Sequence, residues 1–493
     1  MGTINRFIPV PVLCATPLGC AALGAAAGFY FLFYASIHVK IIFMLILLVT
    51  LCFFRVLSSL DTLSRNLQLT AVCSAALAAG FFFGINAAGA GRGEVNFGIP
   101  VNSITAVEGI LQEDPRIISG GRAMVLLSMR RSAGAGGLRA GASGEITVFF
   151  PDINAERLKQ FGRGAAVFTE GSLRSTDRGW TFSAQSLHMV KPAPALERMR
   201  TNLRLSLISR FEKENWGGLA LALLLGIRDN LDSGLAAMYR EAGLSYILAL
   251  SGMHLAILAA LIAFLLKKPL GLKMSVIAGA IIIILYCLLV GPMPSLNRAA
   301  LMYVLGAIAI LGALPKKAMS ILSLSFLIQI AAAPEAGNSL SFILSYLAML
   351  GILITGKALS SLLTGIIPDF ILQPLAISCG AFLATAGVCS FSFGMIAPAG
   401  IIASLAIVPL TTVFMIGSII WLVLDFISIS VLLSLPLSLL YRLMEIIASI
   451  TGSIPRVFAN PSLILVISVV LSLGIAALEY KKRAALLKLT PFL

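Results

Sequence analysis

Long apolar runs dominate the 493-residue chain and are interrupted by one extended polar stretch. Three apolar windows, near 17–36, 41–59 and 69–90, come before this stretch. A window of about 18 or more apolar residues is long enough to cross the hydrocarbon of a bilayer as a helix. The pattern therefore predicts a polytopic α-helical membrane protein. Further apolar windows follow the polar stretch at 216–227, 244–266, 274–291, 299–314, 318–333, 340–356, 371–391, 396–424, 427–450 and 460–479.

Two of the later windows do not suit a simple span. The window 216–227, WGGLALALLLGI, has only twelve residues, which favours a re-entrant or buried half-helix. The window 396–424 contains Pro398, Gly400 and Pro409, which predict an interrupted helix. Interrupted helices at membrane depth are tolerated where they line a cavity, so this pattern favours a transport path over a simple anchor.

The polar stretch, residues 92–195, contains short runs typical of β-strands, separated by glycine-rich or polar turns. A short helical piece, INAERLKQF, falls between the third and fourth runs. Five strands with a helix in that place follow the order of an OB-type barrel, so we expect one small OB-like β-barrel domain. The five runs are VEGILQ (107–112), AMVLLSM (123–129), GEITVFF (144–150), AAVFTEGSL (165–173) and WTFSAQSLHMV (180–190).

Positive charges beside the first spans predict the orientation of the chain. Arg55 and Arg65 flank the second and third windows, whereas the opposite loop offers only Lys40. Because basic residues favour the cytoplasmic side, we expect a cytoplasmic N-terminus and an extracytoplasmic barrel. The composition agrees with a membrane protein, since only 12% of the residues are charged, against about a quarter in soluble domains. All seven cysteines lie in apolar segments, so no disulfide framework is indicated.

Arginines are frequent in the predicted barrel and suggest a nucleic-acid surface. One interpretation is a basic groove that follows a phosphate backbone, with Arg122, Arg130, Arg131 and Lys159 as candidates. The alternative is a solvated surface, because acidic residues offset many of these charges. The net charge of +15 fits a polyanionic partner, although cytoplasmic loops of membrane proteins also raise it.

Residues 196–218 predict an amphipathic helix after the barrel. We expect it to lie along the membrane surface, with a plain surface helix as the alternative. Its apolar residues follow helical spacing: Leu196, Met199, Leu203, Leu207 and Phe211.

Polar residues also stand inside the apolar second half. The segment LALSGMHLAI contains Ser251, Gly252 and His254. An ionisable residue at this depth usually faces the protein interior or water, so His254 is interpreted as lining a polar passage. The alternatives are a hydrogen-bonded structural histidine and a Ser251–His254 nucleophile pair, for which no third group of a triad is visible.

A second polar group, GPMPSLNRAALM, places Asn297 and Arg298 at a helix start. Arg298 is interpreted as pointing into a cavity, where it meets anions or an acidic partner such as Glu241. An ordinary membrane-edge arginine is the alternative. A third group, NSLSFILSYLAMLGIL, adds hydroxyls that include Ser345. A polar cluster near the pore, or alternatively a capped loop, is expected from Arg228, Asp229, Arg240 and Glu241.

These segments resemble the conserved blocks of the ComEC family of competence channels. LLLGIRD, YREAGLSYILALSGMHLAIL, GPMPSLNRAALM, SLSFILSYLAMLGIL and MIAPAGIIASLAIVPL stand in the family's order. The resemblance implies a bacterial inner-membrane channel that passes one strand of transforming DNA into the cytoplasm. It also implies an outer DNA receptor and a cytoplasmic ATPase or helicase as partners, besides single-stranded DNA and the lipid bilayer. We expect the channel to be lined by Ser251, Gly252, His254, Asn297, Arg298 and Ser345.

Two absences shape the expected chemistry. Many relatives end in a metallo-β-lactamase-like domain with an H-x-H-x-D-H cluster, but the only histidines here are His38, His188 and His254, none at ligand spacing. No P-loop motif is present either. We therefore expect no metal, cofactor or catalytic residue, and a separate nuclease where a strand is degraded. An intramembrane hydrolase and a small-molecule or lipid transporter are the alternative functions.

The expected domains follow from these observations and from the resemblance. They are transmembrane helices at 1–91, the OB-like domain at 92–195, an interfacial helix at 196–218, a competence-type channel domain at 219–480 and a basic cytoplasmic tail at 481–493.

Overall fold

The structure, a computed structural model, separates into two compact units. The membrane unit comprises the described parts of 1–91, 233–284 and 293–493, and the barrel unit comprises those of 92–232 and 285–292. The barrel unit thus extends beyond the domain expected at 92–195. The structure describes residues 17–34, 76–81, 83–87, 95–118, 122–134, 139–151, 157–158, 160–176, 179–315 and 317–489.

Helices make up most of the described chain. A helical segment at 76–81 and 83–87 lies between the first two labelled helices. The labelled helices are α1 Pro17–Tyr34, α2 Ala195–Phe211, α3 Gly217–Leu225, α4 Ser233–Glu241, α5 Ser245–Leu248, α6 Gly252–Val290, α7 Pro294–Leu311, α8 Ala318–Ala332, α9 Leu340–Gly351, α10 Lys357–Leu363, α11 Asp369–Phe393, α12 Ala399–Phe426, α13 Val431–Gly452 and α14 Pro461–Leu489. A π-helical turn, Ile352–Gly356, joins α9 to α10.

Seven helices among the described residues are long and apolar enough to cross a membrane. They are α6, α7, α9 with α10 (Leu340–Leu363), α11, α12, α13 and α14 as far as Lys482. The predicted polytopic α-helical membrane protein is confirmed. The window predicted at 41–59 lies outside the described residues.

The helix α6 is broken at Gly271, whose φ of +72° is not helical. Lys267 and Lys268 stand just before the break, so a charged turn separates two apolar helical segments. These segments correspond to the two windows predicted at 244–266 and 274–291.

By contrast, α12 runs through its proline without a break, so the expected interruption of window 396–424 is wrong. Pro398 stands at the N-cap, where a missing N–H removes no helical hydrogen bond. Pro409 lies inside the helix, and the nearby Thr412 hydroxyl donates to the carbonyl of Val408 at 3.0 Å. The Pro409 ring leaves the carbonyl of Leu405 without its helical donor, yet the helix continues on both sides.

The first helices of the membrane unit pack through glycines. A Cβ atom built on Gly24 would lie 1.9 Å from a carbonyl oxygen of the segment 76–87, and one built on Gly28 would lie 2.1 Å from another. Gly80 and Gly84 approach the carbonyls of α1 in the same way, at 2.0 and 2.1 Å. Glycines four residues apart on both helices therefore allow backbone contact, a common packing mode in membranes.

Five main strands close a small barrel in the barrel unit. Around the ring they are β1 (Ile104–Leu111), β3 (Ala123–Gly134), β5 (Glu145–Phe150), β7 (Gly179–Ala184) and β6 (Ala166–Thr176). Strand β6 pairs with β1 to complete the ring. Adjacent strands are antiparallel except β5 and β7, which are parallel. The predicted small β-barrel is confirmed, and its OB-like assignment stays a prediction. The remaining labelled strands are β2 Arg116–Ile117, β4 Arg139–Gly141 and β8 His188–Lys191.

Alternating residues of the strands fill the barrel. In β3, Val125, Leu127 and Met129 are buried while their neighbours are more exposed, as expected for a strand with one face in a core. The last predicted run, 180–190, forms two strands because residues 185–187 leave the ladder. Most of the helix predicted between the third and fourth runs lies outside the described residues.

The window 216–227 forms α3, a buried half-helix of nine residues within the barrel unit. Gly217 and Gly218 allow close packing, because Cβ atoms built there would lie 1.8 Å and 2.0 Å from the carbonyl oxygens of Phe211 and Asn230. The helix ends at Gly226, whose φ of +68° favours glycine. The buried half-helix was one of the two predicted alternatives.

A helix forms in the predicted range 196–218 as α2, but it ends at Phe211 and the predicted apolar stripe is divided between buried and exposed residues. Leu207 and Phe211 are buried in the barrel unit together with Arg200. The remaining apolar residues of the predicted stripe, Leu196, Met199 and Leu203, are exposed.

A largely buried ion cluster connects the barrel to α2 and to the end of α6. Asp114 accepts a hydrogen bond from Arg200, and one of its oxygens lies 3.7 Å from Arg204 Nε. Arg204 also donates to the carbonyls of Leu289 and Val290, at 3.2 and 2.5 Å. These carbonyls end α6 and lack helical donors, so Arg204 caps that helix.

The same cluster changes the acidity of Asp114. Burial by itself raises the pKa of the Asp114 carboxyl, but the hydrogen bond from Arg200 and the charge of Arg204 outweigh burial. The pKa of Asp114 is therefore lowered from its ordinary value.

A buried histidine and arginine at two helix starts

His254 lies in the first turn of α6 and is only 1% exposed. Its Nδ1 atom accepts a hydrogen bond from the backbone N–H of Ser251 at 3.0 Å. In return, the Ser251 hydroxyl accepts a hydrogen bond from the backbone N–H of Met253 at 3.3 Å. This exchange is a capping box in which histidine takes the place of the usual glutamate or glutamine.

The cap determines which nitrogen of the neutral imidazole carries the hydrogen. Because Nδ1 accepts from Ser251, the hydrogen lies on Nε2. Nε2 is buried, and no acceptor among the described residues meets it in hydrogen-bond geometry. The backbone of Ile247 interacts with the ring, so Nε2 is poorly satisfied, and a ligand acceptor with better geometry would be stabilising here.

Arg298 lies in the second turn of α7 and is 7% exposed. Its guanidinium carbon is 5.7 Å from the ring centroid of Tyr346, in a cation–π contact. Its Nη1 atom is 4.0 Å from the sulfur of Met302, a weak acceptor. Within the described part of the chain, Nε has no hydrogen-bond partner and no carboxylate pairs with the guanidinium. Arg298 is therefore a buried cation without a counter-ion among those residues.

The starts of α6 and α7 lie together in the membrane unit. A Cβ atom built on Gly252 would be 3.3 Å from Arg298 Nη2, so the glycine leaves room for the guanidinium. The Ser295 hydroxyl donates to the carbonyl of Leu250 at 2.7 Å and holds the start of α7 against the residues before α6. The structure thus places the predicted Arg298 next to the predicted Gly252. His254 follows Gly252 two positions later in the sequence.

Tyr346 is positioned by a third helix, α8. Its hydroxyl donates to Gln329 Oε1 at 2.8 Å and lies 3.2 Å from the Ser325 hydroxyl. The predicted Ser345 is the neighbour of Tyr346 in α9 and is half-buried, whereas Ser325 and Gln329 are not among the predicted residues. Isolated polar residues in an apolar helix give little signal, because most of them bond their own backbone.

A comparison with family models matches the part of the chain that contains this site. The Competence protein model covers residues 223–483, more than half of the chain. The chain belongs to the Competence protein family. No curated protein and no solved structure matches it significantly. His254, Arg298 and Tyr346 all lie within the competence region.

The polar cluster expected near the pore is divided between the two units of this competence protein. Arg228 and Asp229 belong to the barrel unit, where Asp229 accepts a hydrogen bond from a backbone N–H of the barrel at 3.2 Å. Glu241 and the exposed Arg240 belong to the membrane unit. Glu241 pairs with Arg456 at 3.2 Å, so the acidic partner considered for the buried arginine is engaged elsewhere.

The DNA-binding candidates of the barrel in this competence protein are surface residues wherever they are described. Arg122, Arg130 and Arg131 are exposed, and Lys159 lies outside the described residues. Arg131 lies 3.8 Å from Glu108, whereas Arg130 forms no ion pair with a described residue. Arg122 and Arg130, neither of which forms an ion pair with a described residue, are therefore the candidates whose charges are most available.

Nothing in the described ranges suggests a metal centre. No group of three or more His, Cys, Asp or Glu residues there could hold an ion. Asn297, the remaining predicted lining residue, is exposed at the start of α7.

Replacing His254 with glutamine is expected to preserve the capping box. Glutamine is a usual residue at this position and offers Ser251 an acceptor, whereas alanine offers none. We therefore expect His254→Ala to lower the free energy of unfolding by about 1 kcal/mol and His254→Gln to lower it less. Thermal denaturation of the purified full-length protein measures the difference, and equal losses in both variants would argue against a capping role.

Proposed function

We propose that this protein passes single-stranded DNA across the bacterial inner membrane during natural competence. Membership of the Competence family supports a role in DNA uptake. The observation that carries the finer proposal is the buried guanidinium of Arg298 without a carboxylate partner. An unpaired charge removed from water is strongly unfavourable, and charged residues within spans commonly mark ion or substrate paths. A phosphate of the DNA backbone would supply the missing negative charge.

His254 adds a second donor for the same ligand. Its Nε2–H forms no hydrogen bond of full geometry with a described residue, although the backbone of Ile247 interacts with the ring, and a phosphate oxygen is a strong acceptor. Because a strand carries a phosphate at every nucleotide, successive phosphates would replace one another at these donors as the strand moves. Passage needs binding that is favourable yet weak enough to release. One uncharged imidazole and one guanidinium fit this requirement.

The barrel would concentrate DNA outside the cytoplasm before it enters. Exposed arginines such as Arg122 and Arg130 attract a polyanion over distance. The excess of Arg55 and Arg65 over the single Lys40 of the opposite loop favours an extracytoplasmic barrel and a cytoplasmic N-terminus. An outer DNA receptor, a cytoplasmic ATPase or helicase and a separate nuclease would complete the machinery. The proposal gives this chain no catalytic role and no cofactor.

Uptake of labelled DNA by competent cells tests the proposal. Deleting the gene is expected to abolish entry of the label into a nuclease-protected cytoplasmic pool, while DNA still binds the cell surface. A plasmid copy of the wild-type gene is the control and should restore entry. Undiminished entry in the deletion strain would overturn the proposed transport role.

Arg130→Ala is expected to weaken binding of single-stranded DNA by the purified full-length protein. Each lost phosphate contact lowers the slope of log affinity against log salt by about 0.7. Arg116→Ala is the matched control, because Arg116 is also exposed but pairs with Glu113. Fluorescence anisotropy at several salt concentrations measures both slopes. Equal slopes of log affinity against log salt for the two variants would show that Arg130 does not contact the DNA.

A further inference from the structure

Two charged residues lie within the spanning helix α13, away from its ends. The helix runs from Val431 to Gly452 and is about 33 Å long, close to the thickness of bilayer hydrocarbon. Arg442 is the twelfth of its 22 residues, so about 15 Å of helix separate it from either end. Glu445 follows one turn later. Arg442 therefore lies at the depth where lipid tolerates a charge least.

Neither charge is paired or enclosed within the chain. Arg442 is exposed and Glu445 is half-buried, and neither side chain forms an ion pair or hydrogen bond with a described residue. The helix packs mainly against α12 and α4, and its buried side chains are Leu437, Met444 and Ala448. Ionisable residues in the middle of a span almost always face protein or water. Lipid is therefore a poor neighbour for the side of α13 that carries Arg442.

The two charges belong to a polar stripe along α13. Ser438, Arg442, Glu445 and Ser449 are spaced by four, three and four residues, which places them on one helix face. The adjoining side of the helix is apolar and exposed, as at Leu439 (61% exposed), and suits lipid. The two serines are small, so another helix can approach the stripe closely. The stripe thus has the character of a helix–helix contact surface.

The charges of this stripe are complementary to the same stripe on a second copy of the chain. In a dimer with a two-fold axis along the membrane normal, the two α13 helices run parallel and each stripe faces the other. Arg442 of one protomer then lies about 5 Å along the axis from Glu445 of its partner, within reach of both side chains. The symmetry repeats the contact, so both cations and both anions are paired. A DNA strand would pair with Arg442 but would be repelled by Glu445.

We infer that two copies of this protein pair through the α13 stripe, with two reciprocal ion pairs between Arg442 and Glu445. Pairing removes both charges of each protomer from contact with lipid, which favours association in the membrane. The surface shares no residue with the donors at the starts of α6 and α7. The inference is therefore independent of the proposed transport of DNA.

Reciprocal charge reversal tests the inference on the full-length protein in its membrane. Two copies with different epitope tags are expressed together, solubilised in mild detergent and purified through one tag, and the second tag is then quantified. Arg442→Glu makes both charges of the stripe acidic, and Glu445→Arg makes both basic. We expect wild-type copies to co-purify, and each variant to co-purify with itself at least fivefold less because like charges then face each other. The two variants expressed together should recover at least half of the wild-type amount, since each acidic group again meets a basic one.

Arg240→Glu is the matched control, because Arg240 is an exposed arginine of the membrane unit outside α13. This control should co-purify like the wild type. Equal co-purification in all combinations would overturn the inference. Loss in each variant without recovery in the mixed pair would also overturn it, because the two charges would then act within one chain. Failure of wild-type copies to co-purify would overturn it as well, and lower DNA uptake by Arg442→Glu would then assign the stripe to the strand.

Discussion

Changing Arg298 to glutamine is expected to lower the uptake of transforming DNA by roughly 10- to 100-fold while the protein still inserts in the membrane. Glutamine retains hydrogen-bonding capacity but removes the charge, and a charged hydrogen bond contributes about 1.5–3 kcal/mol. Arg298→Lys keeps the charge but loses the planar group that lies over Tyr346, so we expect it to recover uptake only in part.

Transformation frequency and nuclease-protected labelled DNA measure this effect, and immunoblots of membranes verify insertion. Tyr346→Phe is the matched control, because it keeps the aromatic face near Arg298 and removes only the hydroxyl that bonds Gln329. We expect near-normal uptake from this control. Normal uptake by Arg298→Gln would show that Arg298 has a structural role and takes no part in transport.

Changing Asp114 to asparagine is expected to lower the free energy of unfolding by about 3 kcal/mol at neutral pH. The variant leaves Arg204 without its carboxylate and leaves Arg200 with Glu197 as its remaining acidic partner, and breaking one side of a buried ion pair carries a penalty of this size. Glu113→Gln is the matched control. Glu113 pairs with Arg116 on the surface, where the loss of a pair changes stability by at most about 1 kcal/mol.

The same cluster predicts a dependence of stability on pH. Because the pKa of Asp114 is lowered in the folded protein, its contribution is complete above the ordinary carboxyl pKa near 4. That contribution is lost as the pH falls through the lowered value. Urea unfolding of the full-length protein, followed by the fluorescence of its three tryptophans at several pH values, measures it. The acid sensitivity should decrease in Asp114→Asn, and an unchanged profile would contradict the assignment.

Much of the barrel could be predicted because one face of each strand is buried. The alternation of Val125, Leu127 and Met129 with more exposed neighbours is visible in the sequence, and it reflects the period of two in a strand. The helices of the membrane unit are visible for a different reason, since lipid on one side and protein on the other both favour apolar residues. The gap between residues 184 and 188 was missed because nothing in the local composition ends the strand there.

The candidate site was only partly predictable. His254 and Arg298 attract notice because ionisable residues are rare in apolar helices. Their surroundings depend on packing: the imidazole bonds the backbone of Ser251, and the guanidinium lies over Tyr346 from a different helix. The continuity of α12 could not be predicted for the same reason. Whether Pro409 interrupts the helix depends on the packing around it as well as on its ring.

The discontinuous make-up of the barrel unit has a consequence for biosynthesis. Residues 285–292 belong to this unit, yet they are translated after α4, α5 and most of α6. The Arg204 contact with Leu289 and Val290 therefore forms only after the ribosome has completed α6 and the helix has entered the bilayer. Until then the Arg204 guanidinium lacks these acceptors, so maturation of the barrel unit is coupled to synthesis of a downstream span.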